Sequence, residues 1–320
     1  MASSRPNGSD SSGGQGTSDS SAGPICRVDL HLHSRYSGVG HLRAPRLRGE
    51  LAEPADLYRT ARARGMDLVT LTDVDTLDGC LRFLDAHPGA TDFFVSEEVL
   101  AVEPVTGAAV GVLLFDIDEA QHRAARRLKG DIRDVAAYVR SEGILASLGS
   151  LLGVLEAGGS DQLLRDLIVL FDRHEIRNGA EGRACNDLMA RLAQEVAAGR
   201  SLGVTAGSNA HIASRAGRTA TLARGRGREE FLGALRRNQT WVTGDHGRVW
   251  GALAEVVTSV PLHRAAAPLL DRCLSRARRT ARARSTRKRL DQVVVQKFQE
   301  KARSYEPSVR RARQRTDSAR

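Results

Sequence analysis

The alternation of short apolar segments with amphipathic ones is the feature that most constrains the fold of this chain. Strand-like segments at 25–33, 67–73 and 202–211 are separated by helix-like segments, among them one at 54–65 with proline in its first turn and glycine at its end. The apolar strands carry polar residues at their C-terminal ends. This order predicts an α/β barrel-like domain with its functional site at one end of the strands.

The same reasoning places the remaining elements. A hairpin is predicted around the turn at 104–107, because apolar segments flank Pro104 and Gly107. Further strands are predicted at 143–149, 166–179 and 239–245, and further helices at 77–87, 117–128, 131–142, 182–198 and 229–238.

Composition divides the chain into three regions. Residues 1–24 are rich in Ser and Gly and predict a disordered tail rather than a signal peptide. The segment 25–251 is the predicted barrel, and 252–320 is predicted to be a basic, Ala/Arg-rich helical extension with a disordered end. The net charge of +10 belongs to the end of the chain, because residues 264–320 contain 18 Arg or Lys against 5 Asp or Glu, whereas the remainder contains 30 against 33.

The basic segment 276–289 has the charge to bind a nucleic-acid backbone, an anionic membrane surface or an acidic protein. It lacks the interleaved aromatic residues that stack on bases. Only 4 of the 48 basic residues are lysines, and a GC-rich genome would produce the same arginine bias without any such function.

The cysteines and the apolar segments exclude other classes of protein. The four cysteines are scattered without a CxxC pair, which argues against a zinc ribbon or a disulfide framework and predicts a reducing, cytoplasmic location. The longest apolar segment, 144–155, is shorter than the roughly 18–20 residues of a membrane span, so no transmembrane segment is predicted.

The motif Asp29-Leu30-His31-Leu32-His33 is the clearest chemical signal. Residues two apart in a strand point to the same face, so Asp29, His31 and His33 are predicted to project together. Two imidazoles on one face at the end of an apolar strand are suited to a divalent metal. Two surface histidines on a half-exposed strand are the alternative.

Three aspartates follow the next strand, in LTDVDTLDG (71–79). Clustered carboxylates at a strand end indicate either a cation site or a helix cap. An EF-hand is excluded, because the sixth position counted from Asp73 is Asp78 rather than glycine, and the twelfth is Leu84. Asp75 is predicted to be the N-cap of the following helix, with Asp78 as its third residue. Asp73 is predicted to lie closer to the pocket.

The order of these motifs resembles the PHP (polymerase and histidinol phosphatase) family of metal-dependent phosphoesterases, from about Arg27 to Gly251. The segments HLH, TDVDT, VSEEV, EGILASLGS and GSNAH are similar to successive motifs of that family. The resemblance implies a distorted seven-stranded β/α, TIM-like PHP barrel. It also implies metal ligands at His31, His33, Glu98, Asn209 and His211.

Three other roles are predicted for this site. Asp73 and Glu175 are the candidate catalytic residues, and His41 is an alternative ligand because it follows the HxH motif closely. Arg35 is a candidate for binding a substrate phosphate through bidentate contacts, with a solvated surface arginine as the alternative.

Several positions depart from the family pattern. Val74 and Gly111 stand where histidines are expected, and Ser150 stands at the histidine of the AHP motif, although the register also allows Ser147 or Ala146. Asn209 replaces an aspartate, and Gly38 replaces an acidic residue. Loss of anionic bridges and nitrogen donors predicts that at most one divalent cation (Zn, Mn or Fe) binds, or none.

Two functions follow from this ligand set. The first is a metal-dependent phosphoesterase, of weak or lost activity, that acts on a phosphorylated small molecule or a nucleic acid. The second is a non-catalytic pseudoenzyme, in which the barrel is a binding or scaffold module and the basic extension contacts a polyanion or an acidic protein. Ligand counting favours the second function, and the resemblance favours the first as a description of lineage.

Overall fold

The computed structural model describes residues 23–38, 51–197 and 201–247. The chain divides into two units, Met1–Ser259 and Val260–Arg320, and all described residues belong to the first. Most of the predicted N-terminal tail, His41 and the predicted basic extension 252–320 lie outside the described residues. The predictions for these segments therefore stay predictions.

Strands and helices alternate along the described chain. The strands are β1 (Ile25–Asp29), β2 (Leu68–Leu71), β3 (Phe93–Glu103), β4 (Ala108–Phe115), β5 (Leu145–Leu148), β6 (Arg173–Asn178), β7 (Gly203–Gly207), β8 (Thr219–Arg224) and β9 (Thr240–Gly244). The helices are α1 (Pro54–Ala63), α2 (Asp78–Ala86), α3 (Glu119–Leu128), α4 (Ile132–Ser141), α5 (Leu152–Glu156), α6 (Asp161–Val169), α7 (Arg183–Val196) and α8 (Gly227–Arg236). A 3-10 turn lies at Ala213–Arg215.

The strands form one sheet in the order β7-β6-β5-β4-β3-β2-β1-β8-β9. β4 is antiparallel to both β3 and β5, while the pairs β1–β2, β2–β3, β5–β6 and β6–β7 are parallel. The segment after β1 meets β7, since the Leu30 N–H donates to the Ala206 carbonyl at 3.4 Å and Leu32 forms a parallel bridge with Ala210. β1 to β7 therefore enclose a barrel-like ring.

The predicted barrel-like α/β fold is confirmed, with nine strands among the described residues instead of seven. The two additional strands, β8 and β9, extend the sheet beyond β1 through antiparallel pairs. β2 and β5 are buried along their whole length, as expected of strands that are covered on both faces. The core consists chiefly of Leu, Val, Ile and Ala side chains, in keeping with an aromatic content of only 4%.

The prediction for 166–179 is wrong in its first part. Residues Asp161–Val169 form helix α6, and the strand begins only at Arg173. Ser160 caps the helix by accepting the Leu163 N–H at 3.2 Å, and the buried leucines and isoleucine recur at helical spacing. Strand β8, with the short sequence TATLAR, was not among the predicted strands. No helix in the described part of the chain is long and apolar enough to cross a membrane.

Candidate metal centre

His31 and His33 lie just beyond the end of β1, on the segment that continues between β2 and β7. The His33 N–H donates to the Ala210 carbonyl at 2.9 Å, and the Leu32 carbonyl accepts the Thr72 N–H at 2.7 Å, so both sides of the segment are held. Both histidines are buried, with 3% and 1% of their surface exposed. Their ring centroids are 4.9 Å apart.

Glu98 completes a cluster of three donors. Its Oε2 lies 3.8 Å from His31 Nε2 and 3.6 Å from His33 Nε2. One donor atom from each of His31, His33 and Glu98 lies within 4.8 Å of the others, and all three residues are buried. β3 carries Glu98, and its backbone is fixed there because the Asp75 N–H donates to the Glu98 carbonyl at 2.8 Å. This arrangement has the composition of a cation site.

Glu175 orients the ring of His31. Glu175 Oε1 is 2.8 Å from His31 Nδ1, and Glu175 Oε2 accepts the Asn178 side-chain N–H at 2.8 Å. A carboxylate on Nδ1 fixes the ring orientation and leaves Nε2 for a metal, the usual arrangement behind a metal-ligating histidine. His31 Nε2 is buried and makes no hydrogen bond within the described residues.

The carboxylates also control the charge of His31. Burial alone would lower the pKa of this imidazole, but the adjacent Glu175 and Glu98 carboxylates raise the pKa well above its usual value. The metal-free ring is therefore favoured in its protonated form. Binding of a cation has to displace that proton, so the two equilibria are linked.

Asn209 and His211, from the loop after β7, lie next to this cluster. The His211 ring stacks on His33 with centroids 4.6 Å apart, and His211 Nδ1 is 3.4 Å from the Asn209 carbonyl. Asn209 adopts a left-handed conformation with φ of 48°, and its Oδ1 is buried without a hydrogen bond in the described part of the chain. The structure thus brings four of the five predicted ligands, His31, His33, Glu98 and His211, into contact, and Asn209 lies two residues before His211. The role of Asn209 and His211 as ligands stays a prediction.

The donors fit a divalent metal. Two buried side-chain atoms, His31 Nε2 and Asn209 Oδ1, make no hydrogen bond among the described residues, and the Glu98 carboxylate lies 3.8 Å from His31 Nε2. Imidazole nitrogen combined with carboxylate or amide oxygen suits Zn, Mn or Fe.

Glu98 itself fills the space beside Gly111. A Cβ atom on Gly111 would lie 1.9 Å from Glu98 Oε1, so no side chain fits at position 111 while Glu98 keeps this conformation. Val74, the other replaced position on this side, is buried and forms a parallel bridge with Glu98. Both positions therefore contribute shape rather than donor atoms.

Ser150 lies at the end of β5, where its hydroxyl accepts the Leu152 N–H at 3.2 Å. Glu181, in the loop after β6, is a partly buried residue that the sequence motifs did not identify, and burial raises the pKa of its carboxyl. The signal available in the sequence was an acidic residue two positions after Asn178-Gly179 at a strand end. Of the alternative register positions, Ser147 bonds Thr205 through their hydroxyl oxygens at 2.6 Å, and Ala146 is part of the apolar core.

Asp73 binds the loop that follows the HxH motif. Its two carboxylate oxygens accept the Ser34 N–H at 2.5 Å and the Ser34 hydroxyl at 2.6 Å. Burial raises the pKa of Asp73 to about 6, although the hydrogen bonds from Ser34 act in the opposite direction. Asp73 thus anchors the segment at Ser34. Its predicted catalytic role stays a prediction.

The prediction that Asp75 caps helix α2 is wrong. The helix begins at Asp78, with Leu77 as its N-cap residue, and no side chain caps it. Asp75 instead has a left-handed backbone with φ of 56°. Its carboxylate accepts the Leu100 N–H at 3.2 Å and the Lys129 ammonium at 2.7 Å. These contacts connect the turn after β2 with β3 and with the end of α3. They, rather than a helix cap, set the geometry of the turn.

Asp29 and Arg35 lie beside the cluster with other partners. The Asp29 carboxylate accepts the backbone N–H groups of Ser208 and Gly217, each at 2.8 Å, and thereby holds the ends of β7 and β8 to β1. Burial raises its pKa to about 6. Arg35 forms a half-exposed ion pair with Glu53, and its predicted phosphate contact stays a prediction.

Comparison with known proteins gives one family match. Residues 190–240 match a family model described as PHP-associated, a segment that includes the GSNAH motif. An uncharacterized protein of Methanocaldococcus jannaschii is 27% identical over 90 residues, which are 28% of this chain and 50% of that protein. The aligned part of the chain thus spans about half the length of this curated relative.

Two solved structures are similar over most of the described fold. PsfC from Pseudomonas syringae has 18% identity and a TM-score of 0.49, with 73% of this chain and 96% of that chain covered. An amidohydrolase from Chromobacterium violaceum, solved with sulfate and without metal, has 16% identity and a TM-score of 0.45, with 68% and 97% covered.

Proposed function

Because this chain carries a domain of the PHP family, we propose that it is a phosphoesterase-like hydrolase whose site holds one divalent cation. One observation carries the proposal. His31 Nδ1 is bound by Glu175, while its Nε2 is buried without a hydrogen bond among the described residues and faces Glu98. A histidine positioned in this way is prepared for a cation rather than for a structural hydrogen bond.

We propose that His31, His33 and Glu98 hold the cation, with Asn209 and His211 at the edge of the site. A cation bound there would lower the pKa of water and polarise phosphoryl oxygens. Zn, Mn and Fe suit the mixture of nitrogen and oxygen donors. Glu175 acts through His31 as a positioning residue. The buried rings of His31 and His33 keep bulk water from the donor atoms.

The substrate class follows from the same proposal. A phosphorylated small molecule or a nucleic acid is the substrate that phosphoester hydrolysis requires. Arg35 is proposed to contact its phosphate, which would require the guanidinium to exchange Glu53 for the ligand. Asp73 is proposed to contribute to catalysis by keeping Ser34, and with it the HxH segment, in place.

A non-catalytic binding module is the second candidate, and a specific observation favours it. Val74 and Gly111 supply no donor atoms beside Glu98, and the hydroxyl of Ser150 accepts the Leu152 N–H. Two-metal hydrolysis needs more anionic and nitrogen ligands than the cluster of His31, His33 and Glu98 supplies. In this alternative the barrel binds a ligand without turnover, and the basic extension contacts a polyanion or an acidic protein.

Metal content and phosphatase activity test the two candidates in one series. Wild type, His33→Gln and His87→Gln are loaded with Zn, Mn or Fe and assayed on a panel of phosphoesters. His87 is the matched control, because it is an exposed histidine at the C-cap of helix α2. We expect about one equivalent of metal and a metal-dependent rise in Tm for wild type and His87→Gln only.

Hydrolysis that is lost in His33→Gln and kept in His87→Gln rejects the non-catalytic candidate. If wild type carries less than about half an equivalent of metal and added metal does not raise its Tm, the hydrolase proposal fails.

A further inference from the structure

A cavity of about 180 Å³ lies where strands β5 and β6 begin. β5 and β6 run in the same direction as β1, so this is the opposite end of the barrel from the segment after β1 that carries His31 and His33. The volume is below the roughly 300–1,000 Å³ of sites for drug-sized ligands, so it suits a smaller molecule. The apolar part of the lining includes Val139, Ile144 and Phe171.

Arginines supply most of the charge around this cavity. Arg140, Arg173 and Arg236 line it together with one acidic residue, Asp172, which makes three positive charges against one negative charge. The Arg140 Nη2 group donates to the Leu170 carbonyl at 3.1 Å, so this arginine is fixed at the rim by a neighbouring backbone group. A cavity with this lining favours an anionic ligand.

Arg173 is the buried member of the three, with 9% of its surface exposed. Its Nε donates to the Leu235 carbonyl at 2.6 Å and its Nη2 to the Arg236 carbonyl at 3.0 Å, which satisfies the carbonyl end of helix α8. Its Nη1 forms no hydrogen bond among the described residues. Burial lowers the pKa of this guanidinium, and of the adjacent charges Asp172 raises the pKa whereas Arg236 lowers it.

The end of helix α8 accounts for one arginine but not for two. A cation near the last carbonyls of a helix stabilises it, and Arg173 already donates to two of these carbonyls. The side chain of Arg236 is exposed in the last turn of α8 and forms no hydrogen bond or ion pair within the part of the chain that the structure describes. It therefore adds a second positive charge beside Arg173 that no helix terminus requires.

We propose that this cavity binds a small organic anion, whose carboxylate or phosphate lies between Arg173 and Arg236 and whose short apolar part packs on the apolar lining. Guanidinium groups form charge-assisted and often bidentate hydrogen bonds with both kinds of anionic group. An anion between the two arginines would also offset the repulsion of their charges. The inference is independent of the proposed function, because the cavity and the metal centre share no residue.

The test is binding of four probes to the full chain in the presence of a chelator, followed by NMR of the Ile144 methyl groups, which report on the cavity itself. The probes are butyrate, butyl phosphate, inorganic phosphate and 1-butanol. We expect butyrate or butyl phosphate to shift these methyl signals with a Kd of about 1 mM or below. Inorganic phosphate lacks the apolar part and 1-butanol lacks the charge, so each should bind at least about tenfold more weakly.

The two butyl anions distinguish the two kinds of anionic group. Tighter binding of butyrate identifies a carboxylate ligand, and tighter binding of butyl phosphate identifies a phosphate monoester.

Four variants locate the site. Arg236→Gln should weaken binding at least about tenfold, because one of the two charges is lost. Arg191→Gln, at an exposed arginine on α7, is the control for the charge change, and His33→Gln, at the metal centre, should bind as wild type does. Ala136→Met keeps every charge but occupies part of the cavity, and it should weaken binding as strongly as Arg236→Gln does.

Several results would overturn the inference. They are unshifted Ile144 methyl signals with both butyl anions, inorganic phosphate or 1-butanol binding as tightly as the butyl anions, and a Kd in Arg236→Gln that equals that of Arg191→Gln. Loss of binding in His33→Gln would place the anion at the metal centre and would also overturn it. None of these results depends on whether the metal centre hydrolyses a phosphoester.

Discussion

The ring of His31 lies between two carboxylates, with Nδ1 2.8 Å from Glu175 Oε1 and Nε2 3.8 Å from Glu98 Oε2. The shorter contact is a hydrogen bond, and the longer one leaves room for a cation between the two groups. The two glutamates therefore have different tasks. Glu175 sets the direction of the ring, and Glu98 supplies charge on the side where the cation is proposed to bind.

Glu175→Gln should weaken metal binding while the fold is kept. An amide at this position can still contact Nδ1, but it no longer favours the tautomer that presents Nε2 to a cation. We expect an increase of about 10- to 100-fold in the Kd for Zn²⁺, the range typical of partners behind a metal-ligating histidine. Competition with a chromophoric chelator measures the Kd. Glu142→Gln, at an exposed position at the end of α4, should not change it. An unchanged Kd in Glu175→Gln would contradict the role of the carboxylate.

Gly111→Ala should displace Glu98. The added Cβ would lie 1.9 Å from Glu98 Oε1, and the flexible carboxylate has to move away. We expect at least about tenfold weaker metal binding, because a charged ligand leaves the site, with a loss of about 1–3 kcal/mol in the free energy of unfolding from overpacking. Gly130→Ala is the control, since a Cβ on this exposed glycine meets no atom within 4 Å.

Gly111→His also tests whether Glu98 excludes a side chain at position 111, with a residue that adds a donor atom. If Gly111→His recovered a second equivalent of metal with Glu98 still bound to the first, the steric account of this position would be wrong.

The local pattern of the sequence was sufficient to predict where the strands end and that His31 and His33 lie together. Period-two alternation and polar residues after apolar strands are local signals. It was not sufficient for the contact between His31 and Glu175, which are 144 residues apart and meet only when the ring of strands closes. The close approach of Gly111 to Glu98 depends on strand register, and the sequence alone shows only a glycine.

Two predictions from the sequence were wrong for specific physical reasons. The segment 166–170 is apolar enough for a strand, but Ser160 and the spacing of its leucines favour helix α6. Asp75 has the composition of a cap, yet its carboxylate is used by Leu100 and Lys129 from elements that are distant in sequence. In both cases contacts or caps outside the segment decided its conformation.

Gly207→Ala should destabilise the closure of the barrel beside His31. A Cβ on Gly207 would lie 2.2 Å from His31 Cβ and 2.4 Å from the His31 nitrogen, and a backbone atom cannot rotate away. We expect a loss of about 3 kcal/mol or more in the free energy of unfolding, at the upper end for overpacking, measured by urea denaturation. Gly89→Ala, where a Cβ meets nothing within 4 Å, should change stability by less than about 0.5 kcal/mol.

Asp73→Asn should change the pH dependence of stability. The pKa of Asp73 is raised from 3.8 to about 6, so the folded state binds this proton more tightly than the unfolded state does. Stability contributed by the protonated carboxyl is present at low pH and is lost as the pH rises through about 6. The free energy of unfolding of wild type should therefore fall by about 1 kcal/mol between roughly pH 5 and 8. Asp73→Asn should not show this fall.

The measurement is urea denaturation of both proteins at several pH values in the presence of a chelator, so that metal binding does not contribute. Parallel curves for wild type and Asp73→Asn would show that this carboxyl has the same pKa in the folded and unfolded chains. The Ser34 contacts should survive in Asp73→Asn, because the amide oxygen accepts the N–H and the amide nitrogen donates to the hydroxyl.

Asp75→Ala should destabilise the turn after β2 more than Asp75→Asn does. Asp75 has φ of 56°, a conformation that asparagine tolerates and alanine does not, and its carboxylate binds Leu100 and Lys129. We expect a loss of about 2 kcal/mol for alanine and less than about 1 kcal/mol for asparagine, in urea denaturation. Asp78→Ala, in the first turn of α2, distinguishes the two roles. If Asp75 acted as a helix cap, its removal would shorten α2, and Lys129→Gln would not reproduce the loss. If Asp75 instead holds Lys129, Lys129→Gln reproduces part of the loss and adds little to Asp75→Ala.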